Sequence, residues 1–184
     1  MRIPLLFFIG FCWIASTLTV YSQQLSGITA RWSDAFTEWV IFAEDADGPG
    51  ELRLRWSSQD DWTEWEYRMG DALGQVRLKW GDDKNEWEIR GENQIVSART
   101  LWKDDFREWR ITDNTQQITL RSRYGNTRDE WEIRDADVGL FNMYTAYQGD
   151  PRDWIIVDEL DASISTPMKM ALVFIALYNS IPKQ

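Results

Sequence analysis

The residues best suited to catalysis in this chain are paired carboxylates: Asp60-Asp61, Asp82-Asp83 and Asp104-Asp105. Two carboxyl groups across a bond are the machinery of glycoside hydrolysis, one as acid and one as base or nucleophile. Here, however, the pairs recur at corresponding places in successive copies of a repeat, whereas a site that acts once has no reason to be copied. The second and third pairs stand beside Gly81, Lys84, Asn85 and Lys103, and Asp in such company is turn chemistry, its carboxylate bonding nearby backbone. The ordered ligand spacing of a calcium loop is missing. Histidine is absent altogether, which removes Ser-His and Cys-His nucleophiles, imidazole bases and most zinc sites. The sole cysteine is Cys12, in the N-terminal apolar segment. We therefore expect no enzyme, no catalytic residue, no metal and no cofactor.

A second chemistry is anion binding. Arg53, Arg77, Arg99 and Arg121 recur at one strand position, and Glu66, Glu88 and Glu132 recur on the returning strands. The stripe reads in two ways, as a solvated ladder of ion pairs or as a site for an anion or lipid headgroup. Trp62 lies in an enlarged turn and is a candidate platform for carbohydrate or peptide, or else packs over a rim. With 20 basic against 30 acidic residues, a nucleic-acid partner is not expected.

The elements that position these residues follow from an internal repeat. Glu-Trp recurs at Trp39, Trp65, Trp87, Trp109 and Trp131, with Asp153-Trp154 as a sixth copy. An earlier aromatic precedes each: Trp32, Trp56, Trp80, Trp102, Tyr124 and Tyr147. Between the two lie turn formers such as Gly81-Asp82-Asp83-Lys84-Asn85, and on either side apolar and polar residues alternate with period two. Each unit reads as a β-hairpin, and six make a twelve-stranded antiparallel meander. If the two aromatics of a unit are directly opposed, all twelve form one inward row. Arg55 then faces Glu66, Lys79 faces Glu88 and Arg123 faces Glu132, while Leu101 faces Arg110 and Ala146 faces Ile155 as exceptions that mark a covered patch.

After Asp161 the pattern changes to a helix over 167–179, capped by Thr166, begun by Pro167 and apolar on every side except at Lys169. It is too short to span a bilayer and calls for burial. Twelve tilted strands give a barrel of roughly 24 Å diameter, whose lumen after inward side chains is about one helix wide. The expected fold is all-β with one helix: a twelve-stranded antiparallel barrel around that helix. The alternative is an open single-layer sheet resembling MORN repeats.

Residues 1–22 read as a signal peptide, with Arg2, an apolar run and small residues at Val20 and Ser22, leaving residues 23–184 as one domain. Cleavage removes Arg2 and no acid, taking the net charge from −10 to −11. The competing reading is an uncleaved anchor over Ile3 to Val20.

Twelve strands closed around a C-terminal apolar helix resemble the tubby-like fold, shared by tubby proteins, phospholipid scramblases and LURP-one-related proteins. In residues, the likeness is carried by Asp153-Trp154-Ile155-Ile156-Val157 and by Pro167 to Tyr178. The resemblance implies a non-enzymatic module that binds lipid headgroups. The leader points to an exported protein, periplasmic, cell-surface or extracellular, binding membrane lipid or another envelope component. The alternatives are a carbohydrate-binding protein and a structural accessory with a protein partner.

Overall fold

The computed structural model describes residues 23–44, 46–133 and 136–183, so the expected signal peptide lies outside the described residues. The strands are β1 (Leu25–Ala30), β2 (Glu38–Ala43), β3 (Gly50–Trp56), β4 (Asp61–Met69), β5 (Ala72–Trp80) and β6 (Asp83–Gly91). They continue as β7 (Gln94–Trp102), β8 (Asp105–Thr112), β9 (Gln117–Ser122), β10 (Glu130–Ile133), β11 (Gly139–Tyr147) and β12 (Asp150–Leu160), followed by helix α1 (Thr166–Ser180). Each strand pairs antiparallel with its sequence neighbours, and β1 pairs with β12 through Ile28 opposite Trp154. That pairing closes the barrel and excludes the open sheet.

α1 runs inside the barrel, with every residue from Pro167 to Asn179 buried. Its cap differs from the expectation. Ser165, not Thr166, accepts the Met168 N–H, while the Thr166 hydroxyl turns to Glu92.

The six Glu-Trp and Asp-Trp indoles carry the core: Trp39, Trp65, Trp87, Trp109, Trp131 and Trp154 are each at most 3% exposed. Five of them donate their indole N–H to the carbonyl three residues earlier, as Trp39 does to Phe36 at 3.0 Å and Trp154 to Pro151 at 2.8 Å. A buried indole needs such a partner. Trp87 differs: it lies edge-on to Phe174 and Tyr178 of α1, and its N–H has no partner among the described residues.

The six earlier aromatics are not part of this row. Trp32, Trp56, Trp80, Trp102, Tyr124 and Tyr147 are 41–69% exposed, which corrects the expectation of twelve inward rings. In four of the six hairpins the cause is a bulge in the outgoing strand; Trp32 and Tyr124 lie beyond the ends of β1 and β9. Leu54 pairs with Trp65 but Trp56 with Asp61; Leu78 pairs with Trp87 but Trp80 with Asp83. The same slip recurs at Trp102 and Tyr147. Three residues on one strand then face one on the other, leaving amides outside the ladder. The aspartate that opens each outgoing strand accepts one of them: Asp61 from Thr63, Asp83 from Asn85, Asp105 from Arg107 and Asp150 from Arg152, at 3.0–3.1 Å. Each buried indole thus opposes a residue two places before the earlier aromatic, which clears the barrel and stands at its rim.

The two ends of the barrel differ. Among the described residues, the connections at the end opposite this rim carry Glu44, Asp47, Asp71, Glu92, Asp113, Asp137 and Asp161, with no Lys or Arg.

Candidate functional site

The bulge also resets the outer face. Arg53 opposes Glu66, Arg77 opposes Glu88 and Arg121 opposes Glu132, two residues from the pairing expected for Arg55, Lys79 and Arg123. The ion pairs follow this register: Arg53–Glu66 at 3.0 Å, Arg77–Glu88 at 2.7 Å, and Arg121–Glu132. Three of the four candidate arginines are therefore rungs of a ladder.

A second set of contacts sits just above it, at the rim. In the second hairpin Arg55 stacks on Trp56, 4.9 Å from the ring centre, and Glu64 accepts from both Arg55 and the indole N–H. The third hairpin repeats this with Lys79, Trp80 and Glu86. The fifth does so with Arg123, Tyr124 and Glu130, without the bond from the ring. A cation over an aromatic face and a carboxylate beneath both is a self-neutralising arrangement.

The fourth hairpin, β7–β8, departs on both counts. Where its sister hairpins place Glu66, Glu88 and Glu132, it places Arg110, directly opposite Arg99. Both guanidinium groups are exposed, and neither has a carboxylate within 4.0 Å among the described residues. Glu86 lies across from Arg99 on β6, but its oxygens are taken by Lys79, Trp80 and Ser97. Where the sisters have a stacking cation, the fourth has Leu101, so Trp102 has no cation on its ring and is 68% exposed. Among the described residues Lys103 beside it forms no ion pair. Like charges directly opposed on a sheet are destabilising, and an anion between them reverses the sign.

Trp62 is a member of the repeat after all. It occupies the place of Phe36 and Phe106, three residues before a buried indole, and its ring lies 5.6 Å from that of Trp65. It is half-buried, and its N–H is held by Asp60 at 2.6 Å. Its enlarged turn conceals this equivalence in the sequence.

A depression of about 680 Å³ lies over β3–β6, but the charges around it are spent: Arg53 on Glu66, Arg68 on Glu51, Arg90 on Glu88. Behind it the ring of Tyr67 lies where the side chains of Gly74 and Gly91 would be; a Cβ on either would approach it to 2.1 or 2.2 Å. Burial raises the pKa of that phenol, whose hydroxyl has no partner.

The turn carboxylates behave as structural acceptors. Hydrogen bonds from Thr63 lower the pKa of Asp61, and those from Asn85 lower that of Asp83. The bond from Arg107 brings Asp105 down to about 2. A general acid needs the opposite shift. Among the described residues no three His, Cys, Asp or Glu side chains converge as a metal site, and no helix is long and apolar enough to cross a membrane.

No family model, no curated protein and no solved structure matches the chain.

Proposed function

We propose that this chain is an exported, non-catalytic binding module that holds an anionic group on the outer wall of its fourth hairpin. The observation that carries the reading is the Arg99–Arg110 pair, the one place among the described residues where the ladder sets two cations face to face. The group belongs to a lipid headgroup or to the acid function of another envelope component. Likeness to tubby-like barrels, which is one of architecture alone, favours the first source. The strongly acidic opposite end repels an anionic surface and turns the rim toward it.

Arg110→Glu tests the reading, because it rebuilds the Arg–Glu rung of the sister hairpins and so preserves the fold. Calorimetry with inorganic phosphate at low salt and flotation with phosphatidylglycerol vesicles should show binding by the native protein and none by the variant. Phosphate alone points to a soluble ligand; vesicles point to a bilayer. Absence of both overturns the proposal.

A protein partner is the second reading. It is favoured by the outer face of the closing strands, where Phe42, Leu140 and Ile155 are 40–47% exposed in place of the ladder. Exposed apolar residues grouped on one wall mark such contacts. Sedimentation with cross-linking checks it, and unchanged behaviour of Ile155→Arg would count against it.

A further inference from the structure

Resting on the anion-binding reading above, we infer that the ligand is an acidic glycan, one sugar ring lying on Trp102 and the acid group of the next unit seated between Arg99 and Arg110. Three observations converge on it. The Trp102 indole is the rim tryptophan of the hairpin that also carries the unpaired guanidinium groups, and among the described residues it makes no hydrogen bond, ring stack or cation contact. Arg99 lies three positions before Trp102 on β7, about 10 Å of extended chain, which is the span of a sugar ring and the next unit's acid group. The electron-rich face of an indole attracts the C–H groups on the apolar side of a pyranose, while its edge leaves the hydroxyls in water.

The rim extends this platform. Successive rim aromatics stand two strands apart, again about 10 Å, the spacing of alternate rings of one chain, with Trp102 the open platform and Trp80 carrying Lys79 on its ring and Glu86 on its N–H. Asn85 is buried, its amide held by Asp83, Asp104 and Thr100, and the groups that the two turns present between them are Asp82 and Asp104. These groups suit a polyhydroxylated chain, which needs acceptors. The cations that remain beside Trp102 are Arg99, Lys103 and Arg110, which select an acidic polymer over a neutral one.

The probes are polygalacturonate, its methyl-esterified form, dextran sulfate and neutral dextran, with binding followed by calorimetry and tryptophan fluorescence. The native protein should bind the two acidic polymers and neither neutral one. Trp102→Ala should weaken polymer binding roughly tenfold, the worth of one good aromatic contact, yet leave phosphate binding and the melting temperature unchanged. Arg110→Glu should abolish both. Phosphate or vesicle binding that depends on Arg110, without binding of either acidic polymer, overturns the glycan and leaves the anion site standing. Equal binding of dextran and dextran sulfate overturns it as well. Failure of every ligand removes both readings.

Discussion

Lys169 of α1 lies 2.7 Å from Asp158 of β12 inside the barrel, and the same carboxylate oxygen accepts the Leu25 N–H at the start of β1. Lys169 also donates to the Gln23 carbonyl at 3.0 Å. Helix, last strand and first strand are thus joined at one buried point beside the closing seam. Neither charge reaches water, with side chains 5% and 0% exposed. Leaving one of them alone there is expensive.

Lys169→Met should therefore cost about 3–5 kcal/mol, and Asp158→Leu at least as much because Leu25 also loses its acceptor. The double variant should cost less than the two together, which urea unfolding of all four proteins will measure. Simple additivity would show that the two charges act independently.

The two classes of tryptophan should separate sharply. Trp109→Ala removes a fully buried indole and should cost about 3–5 kcal/mol. Trp102→Ala removes an exposed one and should stay within about 0.5 kcal/mol. Chemical denaturation of both variants compares them directly.

Arg110→Glu should raise stability by about 0.2–1 kcal/mol by replacing a repulsive rung with an attractive one. The gain should shrink as salt rises, since both groups are exposed. A loss of stability at low salt would mean that the arginine pair is already neutralised.

High pH should loosen the barrel from within. Burial pushes the Tyr178 hydroxyl up to about 12 and raises that of Tyr67 further. In the unfolded chain both phenols ionise near pH 10. Their contribution is complete below that pH and is lost as pH rises toward and through 12, because the unfolded state releases protons first. Phenolate absorbance and tryptophan fluorescence should change together above pH 10, and phenylalanine at position 178 should delay the transition.

If residues 1–22 are a signal peptide, protein recovered from a secreting host should begin at Gln23, as mass spectrometry will show. Retention of Arg2 in a membrane fraction would support the anchor instead.

Much of this architecture was legible because period-two alternation and turn residues are local signals. So were the six hairpins, read from repeat spacing, and the terminal helix, read from the apolar run that follows Pro167. Register was not. The turn residues Gly81 to Asn85 hold both a two-residue turn and the start of the bulge, and spacing alone does not say which residues slip. That slip sent Trp56, Trp80, Trp102 and Tyr147 to the rim and moved the charge pairs of β3–β4 and β5–β6 by two. At the candidate site Arg99 was visible as a member of a row, but its distinction was not, because it depends on Arg110 being its true partner. Leu101 did stand out as the break in the basic pattern, although against the wrong neighbour.

Closure has a consequence for how such a chain can evolve. An open array of hairpins gains or sheds units at its ends, and unequal duplication is tolerated. Here β1 must meet β12 around a single helix. A seventh unit would widen the ring to roughly 28 Å and leave a void that one helix does not fill. The copy number is therefore frozen, and novelty has only one route left, which is divergence between the copies already present.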